Sequence, residues 1–579
     1  MQRRVLTLFA VVLAMGCLSA VAASAQIWTQ WGGNPQHTGA VPVVGQPARH
    51  MLQDIVYDPF TAQEQADPLS APDLSVHFQA PLLDGDDVFM EFKSGTYTTL
   101  DHWETQTWNE KRLHWEHGAL AVEWSFASDW KPAPYSTEAT GPAWEPVFHA
   151  VLAGDFIFVP GFGGSIFKLT KHDGTLVARF NPFGSTLDPN IFLSGPPAVD
   201  AAGNVYYHAT KLAHTNPWST DAVNSWVVRV GTDGSVRKVT YAALNPGAPK
   251  GTDKCLGTFD TSVLPWPPSP SAVPPSVTCG SLRPGLNSGI GIAPDGTLYT
   301  VASSHFVERN GYLIAVNPNL TTKWVAALKD RFHDGCNVII PPTGTPGGCR
   351  AGAHNGVDPA QNRAGAGRVT DDSTATPAVA PDGSILYGAY SRYNYFQGHL
   401  MKFSAQGNFE GAWPFGWDMT PTIWQHDGTY SIAFKENHYG DSGSYCDDET
   451  YCPSDRNANN PAYPEAYYIT QLSRDLTPDW QYQNTNTESC TRNPDNTVTC
   501  VSDHPFGFEW CVNGAVADEN GVIYVNSEDG GLYTINQGGT LRDHLFLRLA
   551  IGAAYTPLSM GGDGKIYTQN AGHMYVVGR

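Results

Sequence analysis

Positive charge is scarce in this chain. Thirty-four Lys and Arg face 55 Asp and Glu, a formal net charge of −21. A surface with that balance disfavours nucleic acid and anionic membranes as partners. Long apolar runs are scarce too. Val5–Leu18 is short for a bilayer span and no second stretch is long enough, so no transmembrane segment is expected. Helical periodicity is rare, which argues against an α-rich fold. Repeated C-x-x-C pairs are absent, which argues against structural zinc.

What the chain has in quantity is Gly, Pro, Trp and Tyr, and it deploys them in a repeat. Asn513–Ile535 shows the unit. Ala515-Val516-Ala517 is small and apolar, as a tightly packed inner strand requires. Asp518-Glu519-Asn520-Gly521 reads as a hairpin turn and Val522–Val525 as a second strand. Gly530-Gly531 leads to a third strand, Leu532–Ile535, and Gln537-Gly538-Gly539 to a fourth, Thr540–Leu547. The same grammar recurs at Pro196–Tyr207, Ile290–Tyr299, Thr376–Tyr387, Thr420–Ile432 and Thr556–Tyr567, with weaker copies at Phe78–Met90 and Phe148–Val159.

Four short strands cannot bury both faces alone and need similar neighbours. The repeat therefore predicts an all-β fold, a single β-propeller of about eight four-stranded blades. The last unit is one strand short, because only His573–Val577 follows Thr568. The N-terminal segment is expected to supply that strand and close the ring.

Residues 1–25 read as a signal peptide. Arg3 and Arg4 precede the apolar run, and Ala23-Ser24-Ala25 is a small-x-small cleavage site. An alternative leader would be lipidated at Cys17. Either way a secreted or periplasmic location is expected. Loss of the leader leaves 32 basic residues against 55 acidic ones, a net of −23. Residues 26–75 are then the segment contributing the closing strand, and 76–579 the propeller with long stapled loops.

The staples are four local cysteine pairs: Cys255 with Cys279, Cys336 with Cys349, Cys446 with Cys452, and Cys490 with Cys500. Each lies within one loop between strands, as expected of a secreted protein. Cys511 is left over and reads as a small buried apolar residue.

The opening Trp31-Gly32-Gly33-Asn34-Pro35-Gln36-His37-Thr38-Gly39 and the P-x-V-x-x-x-G-x-(I/V/L)-Y units resemble secreted proteins with a pyrroloquinoline-quinone-type β-propeller. That group includes eight-bladed quinoprotein alcohol dehydrogenases and a non-enzymatic outer-membrane assembly propeller. Strands ending in Trp124, Trp324 and Trp480 look like degenerate tryptophan-docking repeats of the same group. The resemblance implies the fold and leaves the activity open. The enzymes typically carry two adjacent cysteines beside the quinone, and this chain has neither Cys-Cys nor the C-x-x-C-H of a covalent haem. No quinone-binding residue is carried over.

Residues just before each inner strand should surround one mouth of the channel. The candidates there are Glu145, Asn287, Asp372, Asp418 and Asn513, with Trp417, Trp510 and Tyr555 near the rim. Glu145, Asp372 and Asp418 offer hard oxygen ligands suited to calcium. Such carboxylates, with no Lys or Arg partner visible in the sequence, would repel one another unless a cation, water or raised pKa values intervened. The competing reading is a hydrogen-bonded polar plug.

Other motifs are weaker: Gly440-Asp441-Ser442-Gly443 as a nucleophile loop, acidic Asp441–Asp455 as a calcium loop, His114 and His117 with His102 as metal ligands, and His354 with Asp358 in a Gly-rich loop. The expectation is a non-enzymatic binding scaffold that engages a protein or glycan. The alternative is a dehydrogenase of alcohols or sugars that uses pyrroloquinoline quinone and calcium. Peptide mapping without reduction should recover all four local pairs as bridges and Cys511 as a free thiol, each bridge adding about 2–4 kcal/mol. Cross-loop connectivity would overturn the pairing.

Overall fold

The computed structural model describes residues 28–67, 79–99, 102–134, 147–257, 272–332, 357–358, 363–371, 373–390, 398–413, 415–438, 466–552 and 556–579. Eight antiparallel blades follow one another along the chain. They span 82–127, 151–180, 191–240, 282–327, 378–413, 422–483 and 516–546, and the eighth joins 559–578 to His50–Val56. The weak unit at Phe78 is blade 1. Blade 4 is the irregular one: Leu282–Pro284 and Gly291–Ile292 both pair with Leu298–Ser304, so its inner strand is split. Blade 7 follows its sequence closely, with strands Val516–Ala517, Ile523–Asn526, Gly531–Asn536 and Thr540–Phe546.

The N-terminal segment closes the ring. His50–Val56 pairs antiparallel with His573–Gly578 as the outermost strand of blade 8. The chain then crosses to blade 1 and is clamped there. Lys93, with its side chain fully buried, lies 2.9 Å from Asp58 Oδ2 and 2.6 Å from Glu64 Oε1. A buried ammonium needs such partners, so this contact ties the closing segment to the first blade.

Neighbouring blades dock through tryptophans. Trp124 of blade 1 donates its indole N–H to Lys171 O of blade 2, and Trp324 of blade 4 donates to Ala405 O of blade 5. Trp480 of blade 6 reaches Gln537 of blade 7. Each of the first two rings lies against a turn glycine. A Cβ on Gly174 or Gly407 would come within 2.7 Å of the indole, so no larger residue fits.

Trp28–Gly39, which includes the Trp31–Gly39 run, does not form the closing strand. It crosses the channel and meets the inner strands in ring order. Leu83 N donates to Trp28 O, Leu152 N to Thr29 O, and Val199 N to the Gln30 side-chain oxygen. Ile292 N donates to Pro35 O, Val379 N to Gln36 O, Ile423 N to Thr38 O and Ala517 N to Gly39 O, at 2.7–2.9 Å. One peptide thus supplies an acceptor to blades 1 through 7. Gly39 is needed for close approach, since a Cβ there would stand 2.8 Å from Ala515 O. His37 is buried in this plug. Its Nδ1 is 2.5 Å from Trp31 O and its Nε2 2.8 Å from Ile290 O, while burial lowers its pKa.

Two of the four expected disulfides are formed. Cys255–Cys279 joins a short hairpin between blades 3 and 4, and Cys490–Cys500 joins another between blades 6 and 7. The other two expected pairs are not among the bridges of the described residues. Cys336 and Cys349 lie outside those residues, and so do Cys446 and Cys452. Cys511 is buried and belongs to neither of these disulfides.

Trp31 is the bulk of the plug, 1% exposed. Trp31→Ala should cost about 3–5 kcal/mol in denaturant unfolding, as a buried Trp truncation does. A loss near zero would show that the ring stands without its plug.

Candidate functional site at the channel mouth

The segments entering the inner strands of blades 4 to 7 hydrogen-bond to one another in ring order. Ser288 Oγ donates to Ala375 O at 3.0 Å and Gly289 N to Thr376 Oγ1 at 2.9 Å. Thr376 N donates to Thr420 Oγ1, and Thr420 N to Asn513 O. Trp31 closes the axis from below. Its indole N–H donates to the same Thr420 Oγ1 at 2.9 Å. Beside it remains a void of about 10 Å³, too small for anything beyond a single water.

Asp418 and Asn513 meet at one threonine, Thr374. Its N–H donates to Asp418 Oδ1 at 2.9 Å and its hydroxyl to Asn513 Oδ1 at 2.6 Å. All three are fully buried. Asp418 has φ +57°, a conformation that Asp adopts more readily than most residues. The absence of a basic partner is corrected here. Lys435 Nζ lies 3.4 Å from Asp418 Oδ2, with both side chains buried. Lys435 comes from the second strand of blade 6, 17 residues after Asp418, so no local motif linked the two.

Asn287 is 2% exposed and donates its amide to Asp371 O at 3.1 Å, while its Oδ1 has no partner among the described residues. Asp371 itself is not a free carboxylate: Arg283 grips it with two 2.6 Å bonds. His149, from the approach to blade 2, packs edge-on against Trp31 with ring centres 5.8 Å apart. Its Nδ1–H donates to Ala150 O, its Nε2 has no partner among the described residues, and burial pushes its pKa down to about 4.

The other candidates sit elsewhere. Trp510 is fully buried between Tyr482 of blade 6 and Tyr533 of blade 7, so it wedges between two blades rather than lining an open rim. Trp417 packs on Tyr390, with ring centres 4.8 Å apart. Glu145, Asp372 and Tyr555 lie outside the described residues, as do the 440–443 loop, the 441–455 loop and His354. Asp358 lies in the short strand Val357–Asp358. His114 Nδ1 shares a 2.7 Å hydrogen bond with Asp87 Oδ1, and the His117 side chain is 89% exposed.

Lys435, Thr374 and Arg283 were not picked out from the sequence. One signal was present for the first: Lys435-Glu436-Asn437 is a polar run inside a strand otherwise reading as buried.

A divalent ion at this mouth would draw on Asp418, but a lysine already answers that carboxylate, and Asn513 Oδ1 accepts from Thr374. The described donors taken together do not fit a dication. Only Asn287 Oδ1 stands ready for one.

No family model and no curated protein matches the chain. Among solved structures it is similar to the quinohemoprotein alcohol dehydrogenase from Comamonas testosteroni, at 11% identity and a TM-score of 0.50, over 97% of this chain and 82% of that one. The chain has that propeller fold. It is also similar to the quinohemoprotein alcohol dehydrogenase ADHIIG from Pseudomonas putida HK5, at 10% identity and a TM-score of 0.48, over 96% and 76%. A third similarity is to BamB from Moraxella catarrhalis, at 10% identity and a TM-score of 0.37, over 86% and 95%. At these identities the likeness concerns fold only.

Lys435→Met or Asp418→Asn alone should cost about 3–5 kcal/mol, because each removes one member of a buried ion pair. The double variant should recover more than about 1 kcal/mol of the summed loss in a double-mutant cycle. Simple additivity in urea unfolding would mean that the pair is not coupled.

Proposed function

We propose that this protein is a secreted or periplasmic, non-enzymatic binding scaffold. It engages a protein or glycan through the face that carries the insertions between blades. The observation that carries this reading is the state of the axis. The channel is filled by the chain's own Trp31, and the mouth carboxylate Asp418 is matched by Lys435. A site where charges are already paired and the floor is a tryptophan suits a rigid platform. The insertions between blades rise from that platform, and two of them are stapled hairpins. The oxidised pairs and the leader-like N-terminus support export.

A second reading is a calcium- and quinone-dependent dehydrogenase of alcohols or sugars. It is favoured by Asn287 Oδ1, a buried oxygen with no partner among the described residues. It requires Glu145 and Asp372 to complete the donor set.

Purified protein incubated with pyrroloquinoline quinone and calcium separates the two. The scaffold reading expects no quinone absorbance retained after desalting, no dye reduction with alcohols or sugars, and an unchanged melting curve in excess calcium. Quinone-dependent dye reduction, or a calcium-induced rise in Tm that Asp372→Asn with Asp418→Asn abolishes, would establish the second reading instead.

A further inference from the structure

Arg368 stands just ahead of blade 5 and is 9% exposed. Its backbone pairs with Tyr390, N–H to O at 2.9 Å and the reverse at 3.1 Å, so its position is fixed. Its guanidinium lies 5.8 Å from the centre of the Tyr390 ring. Among the described residues it makes no hydrogen bond and no ion pair. The acid that acts on it electrostatically, Glu308, stays beyond ion-pair distance. The neighbouring guanidiniums are otherwise engaged: Arg283 grips Asp371, and Arg309 donates to Gly257 O. Arg368 is therefore a nearly buried cation whose guanidinium donors are unused among the described residues, an arrangement that favours an acceptor.

On the same tyrosine lies a second unsatisfied donor. Trp417 packs on Tyr390 with ring planes at 55°, and its indole N–H is buried with no partner among the described residues. Two donors of different kinds thus flank one aromatic ring. A guanidinium fork matches a planar two-oxygen anion, and one further N–H suits a single additional bond to it.

We propose that Arg368 and Trp417, flanking Tyr390, form a subsite for a small organic carboxylate. The guanidinium takes both carboxylate oxygens and the indole N–H takes one of them. Tyr390 supplies an aromatic wall that limits the size of the occupant. The subsite draws on no group of the Thr374, Asp418 and Asn513 cluster, and it gives the rim candidate Trp417 a role apart from calcium or quinone.

Isothermal titration of the full chain with acetate, benzoate, phosphate and benzyl alcohol tests this. Acetate and benzoate should bind saturably with one site per chain, and benzyl alcohol should not bind. Arg368→Gln should weaken benzoate by at least about tenfold, and Arg368→Lys should fall between the two because it keeps the charge but loses the fork. Trp417→Phe should weaken it by about fivefold while leaving the fold intact. Without ligand, Arg368→Gln should melt no lower than wild type, since it removes a charge that has no hydrogen-bond or ion-pair partner among the described residues. Should that variant fail to fold, Trp417→Phe alone carries the test. No saturable carboxylate binding, or benzoate affinity unchanged in Trp417→Phe, would overturn the subsite. Phosphate binding more tightly than carboxylate would overturn its chemical class.

Discussion

The fold depends on giving acceptors to seven strand edges that face one another across a hole. The innermost strand of each blade has a partner on one side only. In a ring, those free edges point at the axis, where no further blade can reach them. Buried N–H groups without acceptors would each weaken the structure. The peptide Trp28–Gly39 resolves this for blades 1 to 7 with carbonyls and one glutamine side chain, taken in ring order. Trp31 and His37 fill the space that such a crossing peptide leaves. The same N-terminal segment then supplies His50–Val56 to blade 8 and Asp58 and Glu64 to Lys93 of blade 1. One stretch of chain therefore seals the channel and locks the seam where the ring begins and ends.

This arrangement decides what the channel offers chemically. With Trp31 in the axis, the described part of the mouth closes over an indole. Its polar groups are largely spent on one another: Thr374 on Asp418 and Asn513, Lys435 on Asp418, Arg283 on Asp371. A paired mouth holds its blades in register but has little charge left for a dication. Among the described residues, unsatisfied polar atoms remain at Asn287 Oδ1, at His149 Nε2 beside Trp31 and at the donors around Tyr390. Fold likeness to quinohemoprotein dehydrogenases therefore carries no activity with it.

The local readings held where chemistry is local. The P-D-G and D-E-N-G turns marked hairpins because an Asp side chain accepts backbone N–H groups, as at Asp295, Asp382 and Asp518, and because the glycine takes positive φ, as at Gly521. The site was only partly legible. Asp418 and Asn513 were placed together by counting positions ahead of each inner strand, since every blade repeats the same geometry. The same counting misplaced Trp510, because a side chain at that position can turn outward between blades as readily as inward. It also missed Lys435 and Arg368, which reach their sites from a second strand and from an irregular approach to blade 5.

By itself the sequence determined the blade count, the order of strands within each blade and the need for an N-terminal strand to close the ring. These follow from turns and alternation within each repeat, where the forces act between near neighbours. Only the tertiary structure decided which part of the N-terminal segment closes the ring, which part plugs it, and which charges pair at the mouth. Trp31 and Thr420 are 389 residues apart, and their hydrogen bond exists only once all eight blades have gone round and met. A contact that depends on closing a circle has no signature in any stretch of the line from which the circle is made.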